Sequence, residues 1–145
     1  MNQVETLAPA ESGGGEGPLT REQRRNAVEA IYATGHWLLG EGRPKDAARV
    51  LHAMALLAHA DERCWLALGA CHQAMGQPLI ALEMYGIGRV LAKPSVRCEV
   101  ARVRVLRVLG RDDDARMALE QATTTAETVD DPVLRELVRA ESEEP

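Results

Sequence analysis

The stretch Trp65-Leu66-Ala67-Leu68-Gly69-Ala70-Cys71-His72-Gln73-Ala74-Met75-Gly76-Gln77-Pro78-Leu79-Ile80-Ala81-Leu82-Glu83-Met84-Tyr85 decides the fold. Its apolar residues recur at three- and four-residue spacing, the mark of helices. It is also one copy of a pattern that returns 34 residues away on either side. Gly76 repeats as Gly42 and Gly110, Ala81 as Ala47 and Ala115, and Tyr85 as Leu51 and Leu119. Gly69 repeats as Gly35, with Val103 at that place in the third copy. One coincidence of spacing would carry little; three independent columns across three copies define a structural repeat.

A 34-residue period is that of the tetratricopeptide repeat (TPR), whose pattern is W-x2-L-G-x2-Y followed by A-x3-F. Trp65, Leu68, Gly69, Ala81 and Tyr85 fill it, with His72 in the Tyr place. Each column has a physical task. Gly42, Gly76 and Gly110 fall at the turn between two helices, where a left-handed residue is needed. Gly35 and Gly69 let the first helix of a pair approach its partner closely, and Ala47, Ala81 and Ala115 do the same from the second. Leu51, Tyr85 and Leu119 fill the gap between pairs. Pro44 and Pro78 fit the first turn of a helix, where no hydrogen bond is lost, and Pro94 stops the second helix of the second pair.

The expected architecture is all-α: a TPR-like helical solenoid of three helix-turn-helix repeats plus a C-terminal capping helix. The helix pairs are expected at about 21–40 and 45–58, 62–75 and 78–91, and 96–109 and 112–126. Thr20 with Gln23 forms a capping box at the start of order. Asp131-Pro132 opens the capping helix, which runs to about residue 140. Residues 1–19, which include Ser12-Gly13-Gly14-Gly15-Glu16-Gly17-Pro18, read as a disordered arm. Residues 141–145 read as an acidic, solvated tail. The domain is thus 20–140.

The core must be built without Phe and with only 3% aromatic residues, from Leu, Val, Ala, Ile and Met. The net charge is −5, but all 17 Lys and Arg residues lie between Arg21 and Arg139, and six of the 22 acids lie outside that span. The folded part is therefore close to neutral, which argues against nucleic-acid binding, since that needs a basic footprint. No apolar run approaches a membrane span, and no basic stretch followed by an apolar one marks a signal peptide. Three cysteines, Cys64, Cys71 and Cys98, are odd in number and fit free thiols in a reducing compartment. The expected protein is soluble and cytoplasmic.

Catalytic and metal chemistry find no support. His59, Cys64, Cys71 and His72 cluster in sequence, but Cys64 and Cys71 lie seven residues apart, about 10 Å along a helix axis. Neither a C-x2-C nor an H-x3-H pair is present. No residue spacing positions a base beside a Cys nucleophile, and Gly13-Gly14-Gly15 is followed by no Lys-Ser/Thr pair. The expectation is no enzyme, no cofactor and no metal. Trp37 and Trp65 are both expected to pack in the interior.

In a TPR array the first helices of the pairs line a concave surface that receives a segment of another protein. The inward positions are Tyr32, His36 and Leu39 in repeat one, Leu66, Ala70 and Gln73 in repeat two, and Arg97, Val100, Arg104 and Arg107 in repeat three. Repeats one and two would offer an apolar, partly aromatic groove with Ala70 as its floor. In repeat three the arginines would receive acidic groups of a ligand, or else Arg102, Arg104 and Arg107 form a solvated face offset by Asp112-Asp113-Asp114.

The run Trp65, Leu68-Gly69-Ala70-Cys71, Gln73-Ala74 and Gly76, within Ala60 to Gly76, resembles the middle repeat of class II type III secretion chaperones of the SycD/LcrH/IpgC type. The resemblance extends from about Tyr32 to Ala122. It implies a bacterial cytoplasmic protein that binds a hydrophobic translocator through the concave groove before export. Tyr32, Leu66, Ala70 and Gln73 match its groove-lining positions. It also implies homodimerisation through N-terminal helices, as in some members. Val100-Ala101-Arg102-Val103-Arg104 departs from the aromatic and small residues usual in the third repeat, and Leu51 from the aromatic plug of the first. A related group chaperones needle subunits of the same systems, and a TPR scaffold or adaptor without an export role is the remaining alternative.

Overall fold

The computed structural model describes residues 17–145; most of the arm expected over 1–19 lies outside them. Among the described residues seven helices follow one another: α1 Arg21–Gly40, α2 Pro44–Leu57, α3 Glu62–Ala74, α4 Pro78–Leu91, α5 Val96–Val108, α6 Asp112–Thr128 and α7 Pro132–Glu143. The helices pack as three hairpins, α1 on α2, α3 on α4 and α5 on α6, with α7 added at the end. Across hairpins α1 touches α3, α3 touches α5 and α5 touches α7, whereas α2, α4 and α6 do not pack on one another. The odd-numbered helices therefore form a continuous inner row, and the even-numbered helices a splayed outer one. This is the TPR-like solenoid.

Local chemistry sets the boundaries. Thr20 and Gln23 make both bonds of the capping box, at 2.9 and 3.1 Å. Among the described residues Gly42, Gly76 and Gly110 are the glycines with positive φ, at 72°, 70° and 69°, and each ends the first helix of its pair. A left-handed turn at these three places closes the three hairpins in the same way. Asp61 caps α3 and Asp131 caps α7, each side chain accepting from the amide two residues on.

Close approach is what fixes the spacing within a hairpin. A Cβ on Gly35 would come within 2.7 Å of Leu51 Cγ, and one on Gly69 would fall inside the Tyr85 ring. The third pair substitutes Val103 for that glycine and Leu119 for the ring, and both belong to a core with Leu106, Ala115 and Ala118. The largest core unites repeats one and two around Leu51, Met54, Trp65, Leu68 and Tyr85. A further core joins α5, α6 and α7 through Val96, Val100, Ala122, Ala126, Leu134 and Val138. All three cysteines are buried and free, and burial pushes the Cys64 thiol up to about 11 and the Cys98 thiol up to about 12.

Two expectations need correction. The last helix runs to Glu143, and Glu141 is only 1% exposed, so residue 141 belongs to the folded unit and not to a solvated tail. Trp37 is 57% exposed, while Trp65 is 8% exposed and donates its indole N–H to the His59 carbonyl at 2.7 Å. Trp65 sits between two hairpins, whereas α1 is the first described helix, and no described helix packs on its Trp37 side.

Candidate protein-binding groove

The inner row presents the expected stripes of α1, α3 and α5, but they differ in what covers them. On α1, Tyr32 and Leu39 are half-buried against the main core and His36 is exposed. The Tyr32 and His36 rings lie 6.0 Å apart between centroids, tilted by 44°. On α3, Leu66 and Ala70 are half-buried and Gln73 is exposed. These six expected positions lie on neighbouring inner helices, and each reaches the surface.

That surface is braced by a residue outside the expected set. The Arg63 guanidinium lies 4.7 Å from the centroid of the Tyr32 ring, a cation–π geometry. It also donates to both Glu29 oxygens, at 2.7 and 3.0 Å, and to Asp61 at 2.7 Å. The fork of donors matches the carboxylate fork of Glu29. The Arg63 hydrogen bond holds the Glu29 carboxyl below its ordinary value. Burial alone would raise the Asp61 carboxyl, but bonds from the Arg63 side chain and backbone bring it lower. Both carboxylates hold the Arg63 guanidinium in its charged form. Glu29 and Arg63 stand one repeat apart, so this cluster ties equivalent positions of α1 and α3.

The groove floor is built from behind. Tyr85 on α4 passes its ring over Gly69, and its hydroxyl donates to Gln73 Oε1 at 2.5 Å. Burial pushes the Tyr85 phenol up to about 12. With Oε1 engaged, Gln73 keeps its NH2 group as a donor at the exposed edge of the floor.

Repeat three is different, and three expected groove residues are corrected there. Val100 is 2% exposed and packs with Leu134 and Val138 of α7. Arg104 Nε donates to Glu141 Oε2 at 2.8 Å. Arg107 donates to Glu141 Oε1 at 2.6 Å and to the Glu141 carbonyl at 3.1 Å. The chain's own last helix thus takes the position where a ligand carboxylate was expected, because its apolar stripe pairs with Val96 and Val100. The alternative, a face offset by Asp112-Asp113-Asp114, fails as well: Asp114 pairs with Arg111 and Asp113 with Arg116. Arg97 alone of the expected arginines remains exposed at the inner edge without an ion pair among the described residues. Beside it Glu62 reaches from α3 and accepts from the Cys98 amide at 3.0 Å, and burial raises its carboxyl.

Arg63, Glu29 and Glu141 were missed by reasoning from apolar columns. The signal was present in the charges: Glu29 with Arg63 and Arg107 with Glu141 are both acid–base pairs separated by one 34-residue period. Among the described residues no group of His, Cys, Asp and Glu is arranged to hold a metal ion.

The arrangement is an inner surface of repeats one and two that no described element covers. The chain is similar to known proteins in the same terms. It is 35% identical over 79 residues to the low calcium response locus protein H of Yersinia pestis, a match covering 54% of this chain and 47% of that protein. The matched part is about half the length of that curated relative. The type III secretion translocator chaperone SycD of Yersinia enterocolitica is 30% identical, with a TM-score of 0.75 over 90% of this chain and 96% of SycD. SycD in complex with a peptide of the translocator YopD is also similar, at 30% identity and a TM-score of 0.70 over 81% and 88% of the two chains. No family model matches the chain. Its three hairpins and inner groove are those of a TPR-like secretion chaperone. The chain belongs to the SycD family of type III secretion translocator chaperones.

Proposed function

We propose that the chain is a bacterial cytoplasmic chaperone that holds a segment of a type III secretion translocator in the inner groove of repeats one and two before export. The observation that carries this reading is the contrast along the inner row. The stripe of repeat three is covered by α7, whereas Tyr32, Leu66 and Ala70 keep an apolar surface that no described element covers. SycD bound to a YopD peptide supports the class of ligand.

The mechanism is binding alone. Translocators carry membrane-inserting segments that aggregate in water. A partner that binds the unassembled form lowers its free concentration by mass action, with no need for a nucleotide. Small Ala70 leaves room for a ligand side chain, the braced Tyr32 ring forms a wall that is ordered in advance, and Gln73 offers a donor to a ligand carbonyl. Ordering the wall beforehand lowers the entropic cost of binding. Homodimerisation through the N-terminal helices belongs to the same reading; the exposed Trp37 indole on α1 supports it.

The test is an affinity capture from the native host with wild type beside Ala70→Glu, read by mass spectrometry. The expected result is one large client with apolar membrane-inserting segments, lost in the variant while helical content is kept. A small helical needle subunit in its place would move the client class. Equal capture by Ala70→Glu would remove the groove, and steady association with a multi-subunit complex would make the chain a scaffold.

A further inference from the structure

The outer row holds a second site. Between α4 and α6, above the first turns of α5, lies a cavity of about 870 Å³. Glu99 lines it at 7% exposure. Its Oε1 shares the Thr125 hydroxyl proton, at 3.2 Å, with the nearer Gln121 carbonyl at 2.9 Å, while Oε2, which is buried, has no hydrogen-bond partner among the described residues. A carboxylate this deep is costly unless a cation or several donors reach it.

Two of the chain's own cations, Arg89 and Lys93, line the same cavity, but neither is bonded to Glu99. Arg89 donates to Gln121 at 2.7 Å, and Lys93 is exposed. Arg102, one turn along α5, lines an adjoining cavity of about 160 Å³ with Arg111 and Asp114, and makes no hydrogen bond to Glu99. The site also has an apolar side, made by Pro94, Met117 and Val129. A buried acceptor at the bottom, an apolar wall and hydroxyls beside it suit a cation carried on an alkyl stem.

We propose that this cavity receives a lysine or arginine side chain of a second protein docked on the outer face. The ammonium or guanidinium pairs with Glu99 and donates to Thr125, and the alkyl stem lies along Pro94 and Met117. The site is separate from the inner groove, so both faces can be occupied at once. No bond is made or broken.

The test is an NMR titration of the full ¹⁵N-labelled chain with n-butylammonium chloride, sodium butyrate, putrescine and the capped peptide acetyl-Ala-Ala-Lys-Ala-Ala-amide. Saturable shifts at the Ser95, Glu99 and Thr125 amides are expected with butylammonium and the peptide but not with butyrate. Glu99→Gln keeps the shape and removes the charge, and should weaken binding about tenfold. Thr128 is an exposed residue of the cavity wall on α6, so Thr128→Trp should block the cavity while leaving Glu99 in place, which keeps the test decisive if Glu99→Gln fails to fold. Absence of saturable shifts, or equal binding by either folded variant, would overturn the site. A response to butyrate would make it an anion site of Arg89 and Lys93. Binding of putrescine without the peptide would overturn the protein ligand in favour of a free polyamine.

Discussion

Repeats one and two and repeat three are built on one 34-residue pattern and end with opposite surfaces. In the first two, a glycine on the inner helix admits a plug from the outer helix, Leu51 at Gly35 and Tyr85 at Gly69. Their inner stripes stay uncovered by any described element. In the third, Val103 and Leu119 fill the same space between them, and the inner stripe of α5 is closed by α7 through Val100 and Glu141. The period therefore sets the backbone, but the surface depends on what packs next in line. A repeat followed by another repeat can keep its groove; a repeat followed by an amphipathic cap spends it on stability.

The largest effect expected from this contrast is at the glycine. Gly69→Val would drive a side chain into the Tyr85 ring and cost about 3 kcal/mol or more, seen as a lowered midpoint in urea. Val103→Gly in repeat three would cost about 1–3 kcal/mol by the opposite route, loss of packing and of helix propensity. Equal tolerance of Gly69→Val and Gly69→Ala at wild-type stability would break the plug account. Next is Glu141→Ala, which leaves Arg107 half-buried without its carboxylate and should cost about 2 kcal/mol, discounted from a fully buried pair because Arg104 is open to water. Client binding at repeats one and two should survive it; loss of binding at unchanged stability would show that α7 and the groove are one site. Gly76→Ala then costs about 1 kcal/mol for a side chain at positive φ, and Gly42→Ala and Gly110→Ala should match it, because the three turns are alike. A melting temperature that fell at only one of them would refute that equivalence. Smallest is Arg63→Gln, below about 1 kcal/mol in stability because its ion pairs are partly exposed. Its value for the comparison is in binding: a looser Tyr32 should weaken the client several-fold, measured by calorimetry.

What could be read in advance follows the range of the interaction responsible. The capping box of Thr20 and Gln23, Pro at the start of α2 and α4, and the three glycine turns are decided within four residues, so their chemistry is visible in the chain. The close approach of α3 to α4 at Gly69 was also legible, because the repeat keeps a small residue there, but not its partner: Tyr85, expected in the gap between pairs, lies against Gly69 within one hairpin. Trp37 was not. Its position in the pattern gives no sign that α1 stands first among the described helices, with no earlier hairpin packed on that side. Glu141 was hidden by its neighbours: beside Glu143 and Glu144 it looks like part of a solvated acidic end, and only its 34-residue distance from Arg107 tells otherwise. The inner arginines were misjudged for the same reason, since their partner is the last helix of their own chain.

The unequal burial of the two indoles makes the molecule its own optical gauge. Trp37 at 57% exposure should emit to the red and be quenched by iodide, while Trp65 at 8% exposure should emit to the blue and be protected. With no Phe and only two Tyr residues, little else absorbs or emits. Events at the first helix and at the second hairpin, where Trp65 bonds back to His59, can then be followed separately in one unlabelled sample, by colour alone.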